Sequence, residues 1–364
     1  MIDAFGSNVS GSNSHVSRMF EGQILEFTKS GNLVVVRRKL ASGCFGDVFQ
    51  VMDRDGLVLA VKECRVDSER ELRQIESEIN TLSSLRGLGS NTPTYVDHFV
   101  GAIENGSFEC LILMSLEPGI PVQASISSHA ECKMQLALNM LTQLLPTLKL
   151  LDTVCCHRDL NNHNILFDEP SGKFSVVDFG LAVEKNDWWH YKWRDSSVGG
   201  DPRYWPACSW RMLLDGWARM TPLGTEQYKE KLDMHSFAIS LLEVICSGSC
   251  PVPLKSAWDT YWADATRFAS LFHSCFMSKG DWSMTKQDLS KLDVIRNTAK
   301  NLKQLKRALR TLRSSHFLFT IIERMLCVNE MSATASWSYI SNAIEEGCTK
   351  FSTDAAVHAL RVNY

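Results

Sequence analysis

Apolar positions along the chain change their period part-way through, and this change divides the sequence. Residues 1–24 are rich in Ser, Gly and Asn with few apolar positions, a pattern that predicts a disordered tail. Val34-Val35-Val36 opens the first β-branched run, which leads into Leu40-Ala41-Ser42-Gly43-Cys44-Phe45-Gly46-Asp47-Val48. Leu57-Val58-Leu59-Ala60-Val61 reads as a buried strand that ends on Lys62. Between 68 and 86 the period lengthens, and Leu72, Ile75, Ile79, Leu82 and Leu85 fall on one helical face. Leu111-Ile112-Leu113-Met114 is another short strand, and Pro118-Gly119 breaks the chain just beyond it. From there the spacing is mainly helical, over 133–151, 231–247, 291–313 and 316–328. Strands first and helices afterwards predict an α+β fold with a small β-rich part and a larger α-helical part. The boundaries expected are a tail over 1–24, a β-rich part over 25–116, a helical part over 117–350 and a C-terminal tail over 351–364.

Composition narrows this picture mainly by exclusion. With 364 residues, 45% hydrophobic and 22% charged, the chain can bury a large core and reads as an ordinary soluble globular protein. A net charge of −3 gives no ground for global attraction to nucleic acid or to a membrane. No apolar run approaches the roughly 18 residues a transmembrane helix needs. The longest, Phe237 to Cys246, is interrupted by Ser240 and Glu243. The N-terminus lacks a basic-plus-apolar leader, and Ile2 stands where myristoylation needs glycine, so a cytoplasmic or nuclear location is expected. The twelve cysteines include no C-x-x-C pair and no zinc-like spacing, and read as small buried apolar residues in a reducing compartment. Cys44, inside the Gly-containing segment, is the exception.

Chemistry concentrates in two stretches. His157-Arg158-Asp159-Leu160-Asn161-Asn162-His163-Asn164-Ile165-Leu166 carries a carboxylate and an amide. Asp178, fourteen positions after Asn164, opens Asp178-Phe179-Gly180 behind the apolar Val176-Val177. With the Gly-containing segment and Lys62, these motifs resemble those of eukaryotic-type protein kinases, in order, over about residues 25 to 345. The resemblance implies a bilobal kinase fold, with a β-rich N-lobe and an α-helical C-lobe. It also implies ATP and Mg²⁺ as cofactors, a protein substrate, and transfer of the γ-phosphoryl group to a hydroxyl.

Residue by residue, the resemblance implies that Asp159 accepts or orients the substrate hydroxyl proton and that Lys62 contacts the α- and β-phosphates. Glu78 is the best match to the helix glutamate that orients Lys62, with Glu76 and Glu71 as rivals. Asn164 and Asp178 would ligate Mg²⁺, which suits oxygen-only donors. Gly43 and Gly46 would let a loop lie close over the phosphates. Leu40, Ser42, Cys44, Val48, Ala60, Met114 as gatekeeper, Leu116 beside Glu117 in the hinge, and Leu166 would line the nucleotide. Asp233, in Leu232-Asp233-Met234-His235, resembles the helix aspartate that braces the catalytic loop.

The chain departs from that pattern once in the Gly-containing loop and otherwise on the substrate side. Ala41 replaces the first loop glycine. Asn161 stands where serine/threonine kinases carry lysine, and His163 where tyrosine kinases commonly carry arginine. A neutral amide supplies no full charge, so transition-state stabilisation is expected to be weaker. In Gly199-Gly200-Asp201-Pro202-Arg203-Tyr204-Trp205-Pro206-Ala207-Cys208, Asp201 replaces a threonine and the final glutamate is missing; its arginine partner, expected within 326–335, is missing too. Asp201 near Asp159 would set two carboxylates against each other. Serine/threonine specificity is favoured on the H-R-D-L context, with tyrosine open.

Three surfaces stay open on sequence alone. Ser196 and Ser197, if phosphorylated, would have Arg158 and Lys185 as partners. Six of the ten tryptophans, from Trp188 to Trp217, either pack the segment after Asp178 or form a docking surface. Residues 291–313 carry eight basic side chains against one acid, with Leu302, Leu305, Leu309 and Leu312 on one face. That helix is either a solvated surface element or a docking site for an acidic partner or membrane. The rival readings of the whole are a pseudokinase acting as a nucleotide-gated binding module, and a small-molecule kinase of related fold.

Overall fold

The computed structural model describes residues 19–43, 46–103, 106–126, 133–195, 198–278, 282–328 and 336–347. The chain divides into two compact units, one reaching to Gly119 and including Ser175–Glu184, the other formed by Ile120–Phe174 and the chain from Lys185 onward. The β-rich part thus borrows a short segment around Asp178, which the single expected boundary at 116/117 did not foresee.

The first unit is an antiparallel sheet of β1 (Ile24–Phe27), β2 (Asn32–Gly43), β3 (Gly46–Asp53), β4 (Val58–Val66), β5 (Tyr95–Ala102) and β6 (Phe108–Ser115), in the order β1-β2-β3-β4-β6-β5. Its core gathers Phe27, Val34, Val36, Phe49, Val51, Leu59, Val61 and Leu113, the alternating inward positions of β1 to β4 and β6. Residues 1–18 of the expected tail lie outside the described residues. Residues 19–24 do not behave as a tail: Gly22 N–H donates to Val36 O at 2.8 Å and β1 already begins at Ile24. Helix α1 (Glu69–Leu85) buries Ile75, Ile79, Leu82 and Leu85, four of the five positions read as its apolar face. It starts where the Ser68 hydroxyl accepts from Glu71 N–H, while the Glu71 carboxylate takes the Asp67 N–H.

The second unit is helical: α2 (Lys133–Val154), α3 (Ala207–Asp215), α4 (Pro222–Glu230), α5 (Leu232–Cys246), α6 (Val252–Ser278), α7 (Trp282–Lys291), α8 (Val294–Thr311) and α9 (Phe317–Met325). Helix α5 is buried on nearly every side, its polar positions Ser236, Ser240 and Glu243 included, and forms the centre of this unit. A second cluster joins Trp205, Trp210, Phe268, Leu289 and Val294. Most of the tryptophan-rich segment serves packing: Trp188, Trp193, Trp205 and Trp210 are buried, whereas Trp189 and Trp217 reach solvent. Helix α8 buries Leu302, Leu305 and Leu309, and two of its neighbouring cations, Arg310 and Arg313, turn to Glu323 at 3.1 and 2.8 Å. No helix among the described residues is long and apolar enough to cross a membrane.

Candidate active site

In the first unit, β4 and β6 are in register with Ala60 opposite Met114, and β3 and β4 with Val48 opposite Lys62. This register sets the expected nucleotide-lining residues Val48, Ala60 and Met114 on adjacent strands. Leu40 and Ser42 lie along β2, and Gly43 faces Gly46 across the β2–β3 hairpin; Cys44 lies outside the described residues. Gly46 has φ +139, and a Cβ there would fall 2.1 Å from Glu63 O. Glycine is therefore demanded by close packing on β4 as well as by any approach to phosphate. Leu116 is half-buried after β6, and neighbouring Glu117 accepts from Ser115 and Ser175 hydroxyls at 2.9 and 3.1 Å.

Lys62 Nζ donates to both Glu78 oxygens, at 2.7 and 2.9 Å, and to Asp178 Oδ1 at 2.9 Å. Of the three candidate glutamates, Glu78 is the partner, and Glu71 is engaged at the helix start. Lys62 and Glu78 side chains are 5% and 2% exposed, against 36% for Asp178, so solvent reaches this network at the aspartate. Burial alone would pull the Lys62 ammonium down, but Asp178 and then Glu78 outweigh it and hold the pKa above the ordinary lysine range. Burial pushes the Glu78 carboxyl up, and Lys62 opposes that rise. Asp178 adopts φ +61, and its Oδ1 also accepts from Gly180 N–H at 3.3 Å.

In the second unit, Asp159 is held from several directions. Its Oδ1 accepts from Asn161 Nδ2 at 2.8 Å and from Asp201 N–H at 3.0 Å, and its Oδ2 from Asn164 Nδ2 at 2.9 Å. Beneath it, the Asp233 carboxylate takes the N–H groups of His157 and Arg158 at 2.7 and 2.8 Å, the bracing expected of that residue. Leu166 lies in the strand Ile165–Asp168, which pairs with Ile120–Pro121. The two residues expected to ligate Mg²⁺ belong to different units, Asp178 to the first and Asn164 to the second. Their donor set fits that ion: a carboxylate, and an amide whose nitrogen on Asp159 leaves oxygen as its ligating end.

The surroundings of Asp201 differ from the sequence expectation. Asp201 does not set a second bare carboxylate against Asp159, because Arg203 takes it, with Nε donating to its two oxygens at 2.8 and 3.1 Å. An ion pair buried at this depth removes the repulsion that two neighbouring carboxylates would suffer. Lys185 pairs with Asp152 at 2.7 Å. The Arg158 guanidinium lies over the Trp188 ring, 4.9 Å from its centroid. Ser196 and Ser197 lie outside the described residues, as does most of 326–335.

Sequence reasoning also missed Glu243, which accepts from Asn162 Nδ2 at 2.7 Å and from the Tyr204 hydroxyl at 2.5 Å. Its signal was present as a carboxylate inside the apolar run of α5. Arg203 left no such signal, since its role depends on which neighbour reaches it.

A family model described as the protein kinase domain matches residues 34–336. The chain belongs to the protein kinase family. It is 28% identical over 220 residues to a probable serine/threonine-protein kinase, drkC, of Dictyostelium discoideum, an alignment covering 58% of this chain and 26% of that protein. It is 24% identical over 233 residues to calmodulin-binding receptor-like cytoplasmic kinase 2 of Arabidopsis thaliana, covering 60% and 50%. With human protein-tyrosine kinase 6 it shares 29% identity over 234 residues, covering 62% and 45%. The chain thus spans half or less of the length of these curated relatives, which include both serine/threonine and tyrosine types.

Proposed function

We propose that this chain is an ATP- and Mg²⁺-dependent protein kinase that passes the γ-phosphoryl group to a protein hydroxyl, preferentially of serine or threonine. The observation that carries the reading is the buried Lys62–Glu78 pair with Asp178 on the same ammonium, since a cation so fixed has little structural use for its third contact. Lys62 would hold the α- and β-phosphates, with Glu78 keeping its ammonium in place. Asp178 and Asn164 would hold Mg²⁺, which neutralises charge on phosphate oxygens when bound. Asp159, already accepting three N–H donors, is suited to orienting a hydroxyl more than to strong base catalysis, and a loose transition state asks for no more. The H-R-D-L context and the serine/threonine relatives support the serine/threonine preference. We place the kinase in the cytoplasm or nucleus.

Incubation with radiolabelled ATP and Mg²⁺ should label protein substrate on serine or threonine, and EDTA should abolish the label. Asp159→Asn should remove at least about 99% of it while leaving nucleotide binding intact. Label that survives Asp159→Asn unchanged would refute the assignment. Asn161 in place of lysine favours a second reading, a nucleotide-gated binding module, whose signature is ATP binding with no transfer in the parent chain.

A further inference from the structure

Two groups of the family pattern near Asp159 are replaced here, a lysine by Asn161 and a threonine by Asp201. What stands in their place is a closed circuit of contacts within one unit. Asp159 Oδ1 accepts from Asn161 Nδ2 at 2.8 Å, and Asn161 Oδ1 in turn accepts from His163 N–H at 2.8 Å. Arg203 Nη2 donates to His163 Nε2 at 3.3 Å, which requires that nitrogen to be the unprotonated one. Arg203 Nε donates to the Asp201 carboxylate, and Asp201 N–H closes the circuit on Asp159 Oδ1 at 3.0 Å.

Three further features keep this segment pressed on the loop. The Asp201 side chain is 3% exposed, so its charge depends on Arg203. The Tyr261 hydroxyl donates to Arg203 O at 2.8 Å, and the Trp262 ring lies 5.6 Å from the guanidinium, so α6 holds the arginine from behind. Gly200, at φ +86, passes so close that a Cβ would fall 2.3 Å from Arg158 O.

We infer that the Asp201–Arg203 pair is a positioning unit for Asp159: it fixes a main-chain N–H against the carboxylate where the family pattern has a lysine and a threonine. The cation missing at position 161 is thereby displaced to position 203, where it acts on Asp159 through the backbone of Asp201. The inference rests on the phosphotransfer reading above and deepens it.

Its test uses the full chain. Asp201→Asn with Arg203→Met removes both charges without stranding either. It should lower kcat at least about tenfold while KM for ATP stays within about twofold. Asn161→Lys added to Asp201→Thr with Arg203→Met rebuilds the family's two groups and should return most of the lost kcat; a residue that merely fills space would not be rescued from position 161. If the double variant does not fold, Arg203→Lys, which keeps the charge and loses the planar fork, should show the same split between kcat and KM. An unchanged kcat, a KM for ATP that rises in step with the loss, or no rescue by lysine overturns the inference alone. A parent chain without transfer overturns both it and the reading beneath it.

Discussion

Around Lys62 the first unit gathers full charges, one ammonium between two carboxylates within 2.9 Å. Around Asp159 the second unit surrounds one carboxylate with uncharged N–H donors and keeps its ion pair, Asp201 with Arg203, one step removed. The first arrangement depends on every member, because a lone buried charge is costly. The second spreads its hold over several weaker donors, so losing one should weaken it by degrees. Of these two arrangements, the one that departs from the family pattern is the one that tolerates departure.

The sharpest attempt to break this contrast is Lys62→Met, which leaves Glu78 buried without its cation. Transfer should fall at least about a thousandfold, and stability by about 3 kcal/mol, read from denaturant unfolding. Adding Glu78→Gln should recover much of the stability and none of the transfer. Wild-type-like labelling in Lys62→Met would remove the distinction between the two regions. Next in size is Asp233→Ala, which orphans the N–H groups of His157 and Arg158 beneath the Asp159 loop. A loss of about 2–4 kcal/mol is expected, and one below about 0.5 kcal/mol would mean the bracing is idle.

Acid should separate the regions as well. His235, buried on the same helix as Asp233, accepts from Cys327 N–H at 3.0 Å; burial first, then Lys306, lowers its pKa to about 3 from the usual 6.5. Below pH 6.5 the unfolded chain takes up this proton and the folded chain does not until near pH 3, so stability falls as pH drops through that window. The contribution at pH 5 is about 2 kcal/mol, and thermal melts of His235→Asn against the parent should show a flatter slope across this range. The smallest effect belongs to the surface: Arg194, stacked 5.0 and 5.2 Å from the centroids of the Trp193 and Trp217 rings, should cost under about 1 kcal/mol when replaced by alanine. A larger loss there would show that the Trp193–Trp217 pair matters to folding as the charged core does.

How far the sequence could be read follows from the range of the interactions. Helix α1 was legible from the spacing of Ile75, Ile79, Leu82 and Leu85, and Glu78 lies on the same face, three residues after Ile75 and four before Leu82. The Asp233 brace was legible from its motif. Helix α6, 27 residues long, was not anticipated, because Pro251 and Pro253 near its start and mixed aromatic and polar positions blur its period. The Asp201–Arg203 pair was hidden for a different reason. Asp201 was read against Asp159, its neighbour by motif, whereas two residues of chain in a tight turn brought an arginine closer. Lone charges in loops carry no period, so only the fold assigns their partners.

The glycine at position 46 bears on how the sheet finds its alignment. A slip of one residue between β3 and β4 would bring Asp47, with its side chain, to the place where even a methyl collides with Glu63 O. That slipped pairing is thereby disfavoured, which helps select the frame that sets Lys62 opposite Val48.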